Sequence, residues 1–250
     1  MVFVALALAL VIGVTLGLFG GGGSILTVPV FVYVIGYDPK LAIAMSFPVV
    51  GVTSLVGALG QWRAGNVRLP GALLFGVVAM AGAFAGARAS SLLDGRAQLA
   101  IVGAAMAAAA VMMLRSAARD SGEVPPVRPL SKVLYLVALA VGALTGLVGI
   151  GGGFLIVPAL VVFGQVPMQE AVGTSLLVIA MNCVSGFAGQ RDTHEIPWPF
   201  VITFSAVAIA GIIAGTKFAR FVPQRILKEG FAVLLLVIAA LVLWQNHARL

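Results

Sequence analysis

The sequence predicts an all-α polytopic membrane protein made of two inverted-topology repeats. Three observations carry this reading. Of 250 residues, 61% are hydrophobic and 9% charged, against about 25% charged in an ordinary soluble domain. The charges leave eight uncharged runs, 1–37, 41–62, 69–87, 97–114, 133–169, 171–190, 196–216 and 230–248, each near or above the ~18–20 residues that cross a bilayer as a helix. Finally, the chain carries one plan twice, at an offset of 129 residues.

The first run opens MVFVALALAL without a basic leader, and its apolar character continues through Ile35. It is expected to be a retained span rather than a cleaved signal peptide. As one helix its 37 residues would measure ~55 Å, nearly twice the hydrocarbon thickness. The chain must therefore turn back, and the glycine cluster Gly20–Gly23 marks the place. Segments near 2–18 and 24–36 follow, and 133–148 and 153–164 in the second long run. The second member of each pair is short enough to be re-entrant or half-depth. The remaining runs bring each repeat to about four to five membrane segments. They divide the chain into a first repeat (1–114), a linker (115–131, RSAARDSGEVPPVRPLS) and a second repeat (132–250). Strand spans are excluded, because the runs are apolar all round and do not alternate over ~10 residues.

The duplication is gapless. GLFGGGGSILTVP (17–29) falls on GLVGIGGGFLIVP (146–158), Ser46 on Ser175, Gln61 on Gln190, and AGAFAG (81–86) on AGIIAG (210–215), with 24 identities between 17–96 and 146–225. Two long repeats indicate a transporter-like duplication rather than a solenoid. Orientation follows from Lys and Arg. With an odd number of crossings per repeat, one side collects 10 of these residues and the other 5; an even number gives 8 and 7. The odd, inverted arrangement is favoured, with the linker cytoplasmic and both termini periplasmic in a bacterial inner membrane. The +7 net charge needs no nucleic-acid partner, since basic cytoplasmic loops account for it.

No charged residue lies deep in a run, so a mid-membrane ligand must be held by neutral groups and backbone. The candidates are Gly21, Gly22, Gly23 and Ser24 of the first box and Gly151, Gly152 and Gly153 of the second. Each cluster precedes a short helix whose free N–H groups suit an anion. Ser46 and Ser175 occupy equivalent positions, with Thr174 beside the latter and Gln61 and Gln190 closing the same spans. Phe47-Pro48 suggests a helix break exposing Ser46. Thr53, Ser54, Asn182 and Ser185 complete a polar set that more simply bonds to its own helices. AGAFAG and AGIIAG read as helix-packing motifs. Cys183 stands alone, and His194 and His247 lie far apart, so no disulfide, metal site or other cofactor is expected. No Ser/His, Cys/His, paired-carboxylate or HExxH set occurs in the runs, and no GxxxxGK[ST] either. An enzyme and an ATP-driven pump are both disfavoured.

The twin glycine-box-to-VP motifs, with AMSFP and GTSL downstream, resemble the sulfite exporter TauE/SafE family of bacterial membrane permeases over nearly the whole chain. The resemblance implies transport of a small sulfur oxyanion or organosulfonate, such as sulfite, thiosulfate, sulfoacetate or a taurine-derived product. The residues that match are the two boxes, Pro29, Pro158, Ser46 and Thr174-Ser175. Met45 stands where the second repeat has Thr174, so the threonine hydroxyl has no symmetric counterpart. The expected function is a secondary transporter, in the exporting direction, for such an anion. An anion channel and a non-transporting scaffold subunit are the alternatives. The expected partners are the small anion and the lipid bilayer, with a second copy of the chain left open.

Overall fold

A computed structural model describes residues 2–89, 95–118, 132–148, 153–189 and 196–247. Among these residues every regular element is a helix. They are α1 (Val2–Phe19), α2 (Gly22–Pro29), α3 (Pro39–Arg63), α4 (Leu69–Ala89), α5 (Gly95–Ala118), α6 (Lys132–Val148), α7 (Gly153–Pro158), α8 (Met168–Gly189), α9 (Trp198–Ala219) and α10 (Gln224–His247). Four of them, α3, α4, α8 and α9, are long and apolar enough to cross a membrane on length and composition alone. Large apolar side chains such as Leu136, Ile202, Val77 and Phe218 point outward and are at least 60% exposed. Such a surface would be an aggregation hazard in water and is ordinary against lipid.

Each long run is divided into two helices, α1 and α2 in the first and α6 and α7 in the second, and in the first the break falls at the glycines. α1 ends in a left-handed residue, Gly20 (φ 68°), whose N–H donates to the Leu16 carbonyl at 2.8 Å, the usual way a helix stops at glycine. The short helix begins at Gly22, two residues before the expected 24, so only Gly20 and Gly21 lie outside helix in the first box. Gly23 lies inside the helix, and the turn Ile12–Leu16 of α1 comes directly against its Cα, where any side chain would overlap the Ile12 carbonyl.

The short helices change pitch at the prolines of the VP motifs. Pro29 and Pro158 have no N–H to give to the carbonyl four residues back, and their rings crowd it. The backbone widens into π-helical continuations, Val30–Ile35 after α2 and Ala159–Phe163 after α7. Their closures are equivalent: Tyr37 N–H to the Phe31 carbonyl and Val166 N–H to the Leu160 carbonyl, both 3.0 Å. Even the left-handed residues that follow coincide in the repeat, Gly36 (φ 89°) and Gln165 (φ 50°). The Phe31 ring stacks edge-on against Phe204 of α9 at 5.0 Å, which anchors the first continuation.

Packing exchanges partners between the repeats. α1 lies along α9, with Gly13 and Gly17 against Ala208 and Ile212, and Gly211 and Gly215 against Leu10 and Val14. α6 lies along α4 through the equivalent positions, Gly142 and Gly146 against Ala79 and Ala83, and Gly82 and Gly86 against Leu139 and Ala143. In each of the eight a Cβ would overlap a facing carbonyl oxygen or stand within 2.6 Å of it. These are four small-xxx-small faces meeting pairwise, and AGAFAG and AGIIAG supply two of them. In both pairs the residue numbers rise together, so the partners run parallel. α3 and α8 behave oppositely. Phe47 faces Gly186, Gly51 faces Cys183, Gly57 faces Leu176 and Gln61 faces Gly173. One number rises as the other falls, so these repeat-equivalent helices run antiparallel.

One expectation is corrected. α3 runs unbroken through Pro48, and Ser46 is fully buried, its hydroxyl donating to the Ile43 carbonyl at 2.7 Å. Ala44, whose carbonyl Pro48 leaves unmatched, is fully buried within the bundle, a setting in which membrane helices tolerate an internal proline.

Candidate functional site

The two glycine boxes meet at Gly21 and Gly153. The Cα of Gly21 lies against the carbonyl of Gly153, and the Cα of Gly153 against that of Gly21 and the side chain of Ile179. Position 21 is extended (φ −159°) and caps α2 without a side-chain bond. Ser24 closes the first turn with its hydroxyl on the Gly21 carbonyl at 2.7 Å. Gly20 to Ser24 are all buried.

Ser175 of α8 reaches this box from the other repeat. Its hydroxyl lies 2.9 Å from the Gly20 carbonyl and 2.8 Å from that of Val172. One proton serves two acceptors, so the hydroxyl can hold the box or its own helix, but not both fully. Ser46, the equivalent residue of α3, is likewise buried and engaged. Gly149, which stands to Ser46 as Gly20 stands to Ser175, lies outside the described residues, as do the candidates Gly151, Gly152 and Gln190.

The other candidates gather at one end of the bundle. Gln61 is 3% exposed and its side-chain carbonyl accepts from the Asn66 amide at 2.9 Å. Thr174 accepts a bond from the Arg68 backbone N–H at 3.1 Å, and the Arg68 guanidinium pairs with Glu170. Thr174 is thereby tied to the α3–α4 turn rather than to the glycine boxes. A narrow, shallow cleft opens here, lined by Leu18, Gln61, Asn66, Gln169, Val172 and Arg220 among others. Val172 also lies against Gly20, its Cα 2.7 Å from where a Gly20 Cβ would stand. The cleft therefore ends on the residues that carry the Gly20–Ser175 contact.

The structure thus brings Gly21, Gly153, Ser24 and Ser175 together, sets Gln61 at the cleft and leaves Thr174 on the α3–α4 turn. Asn66, Gln169 and Arg220 were not singled out from the sequence as ligands. They stand at segment ends, where polar residues are ordinary, and only the packing of the ends of α1, α3, α8, α9 and α10 places them around one opening. No group of three or more His, Cys, Asp or Glu suited to a metal occurs among the described residues.

The profile of the sulfite exporter TauE/SafE family matches residues 5–242. The chain belongs to this family. Relatives extend across bacteria and archaea. One from Xylella fastidiosa (strain 9a5c), named "Probable membrane transporter protein", is 33% identical over 96% of this chain and 94% of its own. YdhB of Bacillus subtilis (strain 168), which carries the same description, is 24% identical over 87% and 90%. A third, MJ0441 of Methanocaldococcus jannaschii, is 25% identical over 82% and 78%. No solved structure matches significantly. TauE/SafE membership and the apolar helices together make the chain a multi-pass membrane protein.

Proposed function

We propose that this TauE/SafE protein is a secondary transporter that exports a small sulfur-containing anion, sulfite or a C2 organosulfonate, across a bacterial inner membrane. The observation that carries the reading is the meeting of both glycine boxes at Gly21 and Gly153, with Ser175 of one repeat bonded to Gly20 of the other, beneath a cleft bordered by Arg220 and three carboxamides. Arg220 and the carboxamides would draw in and desolvate the anion. Box amides and serine hydroxyls would then hold it without a buried cation, so that binding stays weak enough for release. The family description and the relatives' names support transport.

The inverted repeats, 1–114 and 132–250, belong to the same proposal. Antiparallel α3 and α8, parallel α1 with α9 and parallel α6 with α4 all suit a two-fold axis lying in the membrane plane. The Lys/Arg split supports a cytoplasmic 115–131 linker and periplasmic termini. Rocking of the interlocked repeats would alternate access.

Uptake of radiolabelled sulfite and sulfoacetate into proteoliposomes tests the function. Counterflow accumulation supports a carrier, whereas dissipation of gradients without accumulation supports a channel. Failure to move any anion of a panel also including sulfate, thiosulfate and taurine rejects transport of this class. For topology, a cysteine placed at position 122 in a Cys183→Ser background should be labelled only from the cytoplasmic side.

A further inference from the structure

Two buried polar side chains of the α3–α8 crossing have no partner. Asn182 is 1% exposed, and neither its amide nitrogen nor its carbonyl oxygen makes a hydrogen bond; Ser54 is fully buried, and its hydroxyl makes none either. Buried polar atoms are otherwise almost always paired, and in a membrane interior no bulk water relieves them. Their neighbours in the repeat are quiet. Thr53, equivalent to Asn182, bonds to the Val49 carbonyl of its own helix at 2.6 Å, and Cys183, equivalent to Ser54, packs against Gly51.

The two groups stand at one level. In the antiparallel register set by Gly51–Cys183 and Gly57–Leu176, Ser54 lies opposite position 180, so Asn182 is displaced by only ~3 Å along the axis. Asn182 also shares a face of α8 with Ser175 and Ile179, seven and three residues away respectively. Those two residues touch the first glycine box and the start of α7. A carboxamide two turns, or ~10 Å, beyond Ser175 therefore faces the region of the boxes with both amide protons unused.

We infer that Asn182, with Ser54, forms a second station for the transported anion, deeper than the Gly20–Ser175 contact. The carboxamide N–H2 and the serine hydroxyl would donate to an oxyanion as it leaves the first station. This inference rests on the transport reading above and adds to it a residue that reads the oxygens of the substrate. A sodium ion or a trapped water would use the Asn182 oxygen instead, and the test separates these occupants.

The experiment compares wild type, Asn182→Leu, Asn182→Asp and Ser54→Ala, each purified and reconstituted, measuring melting temperature and the affinity for sulfite and sulfoacetate. Asn182→Leu should match or exceed the wild-type melting temperature, because an orphaned amide is removed, while anion affinity falls at least tenfold. Ser54→Ala should stay folded and lose several-fold. Asn182→Asp should abolish anion binding by placing a negative charge at the station. Wild-type binding that survives Asn182→Leu and Ser54→Ala within twofold overturns the inference and leaves the transport reading standing. Tighter binding or faster uptake in Asn182→Asp, with sodium dependence, overturns it in favour of a cation. If neither anion binds wild type, the transport reading for these substrates falls, and the inference with it.

Discussion

Gly21 and Gly22 are adjacent in one box, yet the structure gives them opposite sensitivities to a single methyl group. A Cβ on Gly21 would overlap the Gly153 carbonyl outright and stand 2.8 Å from the Phe154 nitrogen. Ordinary carbon contacts are ~3.5–4.0 Å, and both obstacles are backbone, so the two boxes would have to part by about 1 Å. Overpacking of this kind costs about 1–3 kcal/mol. A Cβ on Gly22 meets the Leu234 Cδ2 at 2.6 Å and Phe19 ring and Cβ atoms at 3.4 and 3.5 Å. The first is the end of a flexible side chain. Gly22 also opens α2 in helical conformation, where alanine gains up to ~1 kcal/mol over glycine, offsetting the movement of Leu234. At about 2–4 °C per kcal/mol for a chain of this length, Gly21→Ala should lower the melting temperature by about 2–12 °C. Gly22→Ala should change it by no more than about 4 °C in either direction. Tryptophan fluorescence of the detergent-solubilised variants reads both. Equal melting temperatures, or a larger loss for Gly22→Ala, would refute the back-to-back placement of the boxes.

Other expectations follow from the same geometry. Gly22→Val should remain folded and lose anion uptake, because the larger side chain shifts the box that presents the amides; uptake at wild-type rate in proteoliposomes would remove that box from the site. Ser175→Ala deletes a neutral bond worth about 0.5–1.5 kcal/mol, and up to ~3 kcal/mol if the hydroxyl also binds an anion. Its melting temperature should fall by about 1–6 °C and its anion affinity by about tenfold to a hundredfold at 1.4 kcal/mol per decade, both readable on one preparation by thermal shift and titration. Gly146→Leu, which drives a side chain into the Ala83 carbonyl, should prevent recovery of folded protein, whereas Gly60→Leu, with nothing within 4 Å of its Cβ position, should be recovered normally by size-exclusion chromatography. Arg68→Ala removes a part-exposed ion pair with Glu170 and should cost no more than about 1 kcal/mol, so a drop in melting temperature beyond ~4 °C would show that pair to hold more than the α3–α4 turn.

The sequence by itself determined the helical class, the duplication and the break of the first long run at its glycines. Hydrocarbon thickness is a one-dimensional constraint: a 37-residue uncharged run is too long for one crossing, and only its glycines can turn. The segments read at 2–18 and 133–148 accordingly agree with α1 and α6 to within a residue. What a side chain meets was a different matter, because these repeats interlock. Ser175 finds its partner 155 residues away in Gly20, and the Thr174 hydroxyl is taken by the Arg68 amide, 106 residues away. Pro48, a helix breaker in isolation, was overridden by the helices packed around α3. Asn182 and Ser54 read as ordinary helix-bonded polar residues until the crossing of α3 and α8 left them buried without partners. Local pattern fixes which segments are helices, since apolar runs and glycines act on their own neighbourhood. Which polar group is satisfied is decided by the facing helix, and here the facing helix comes from the other half of the chain.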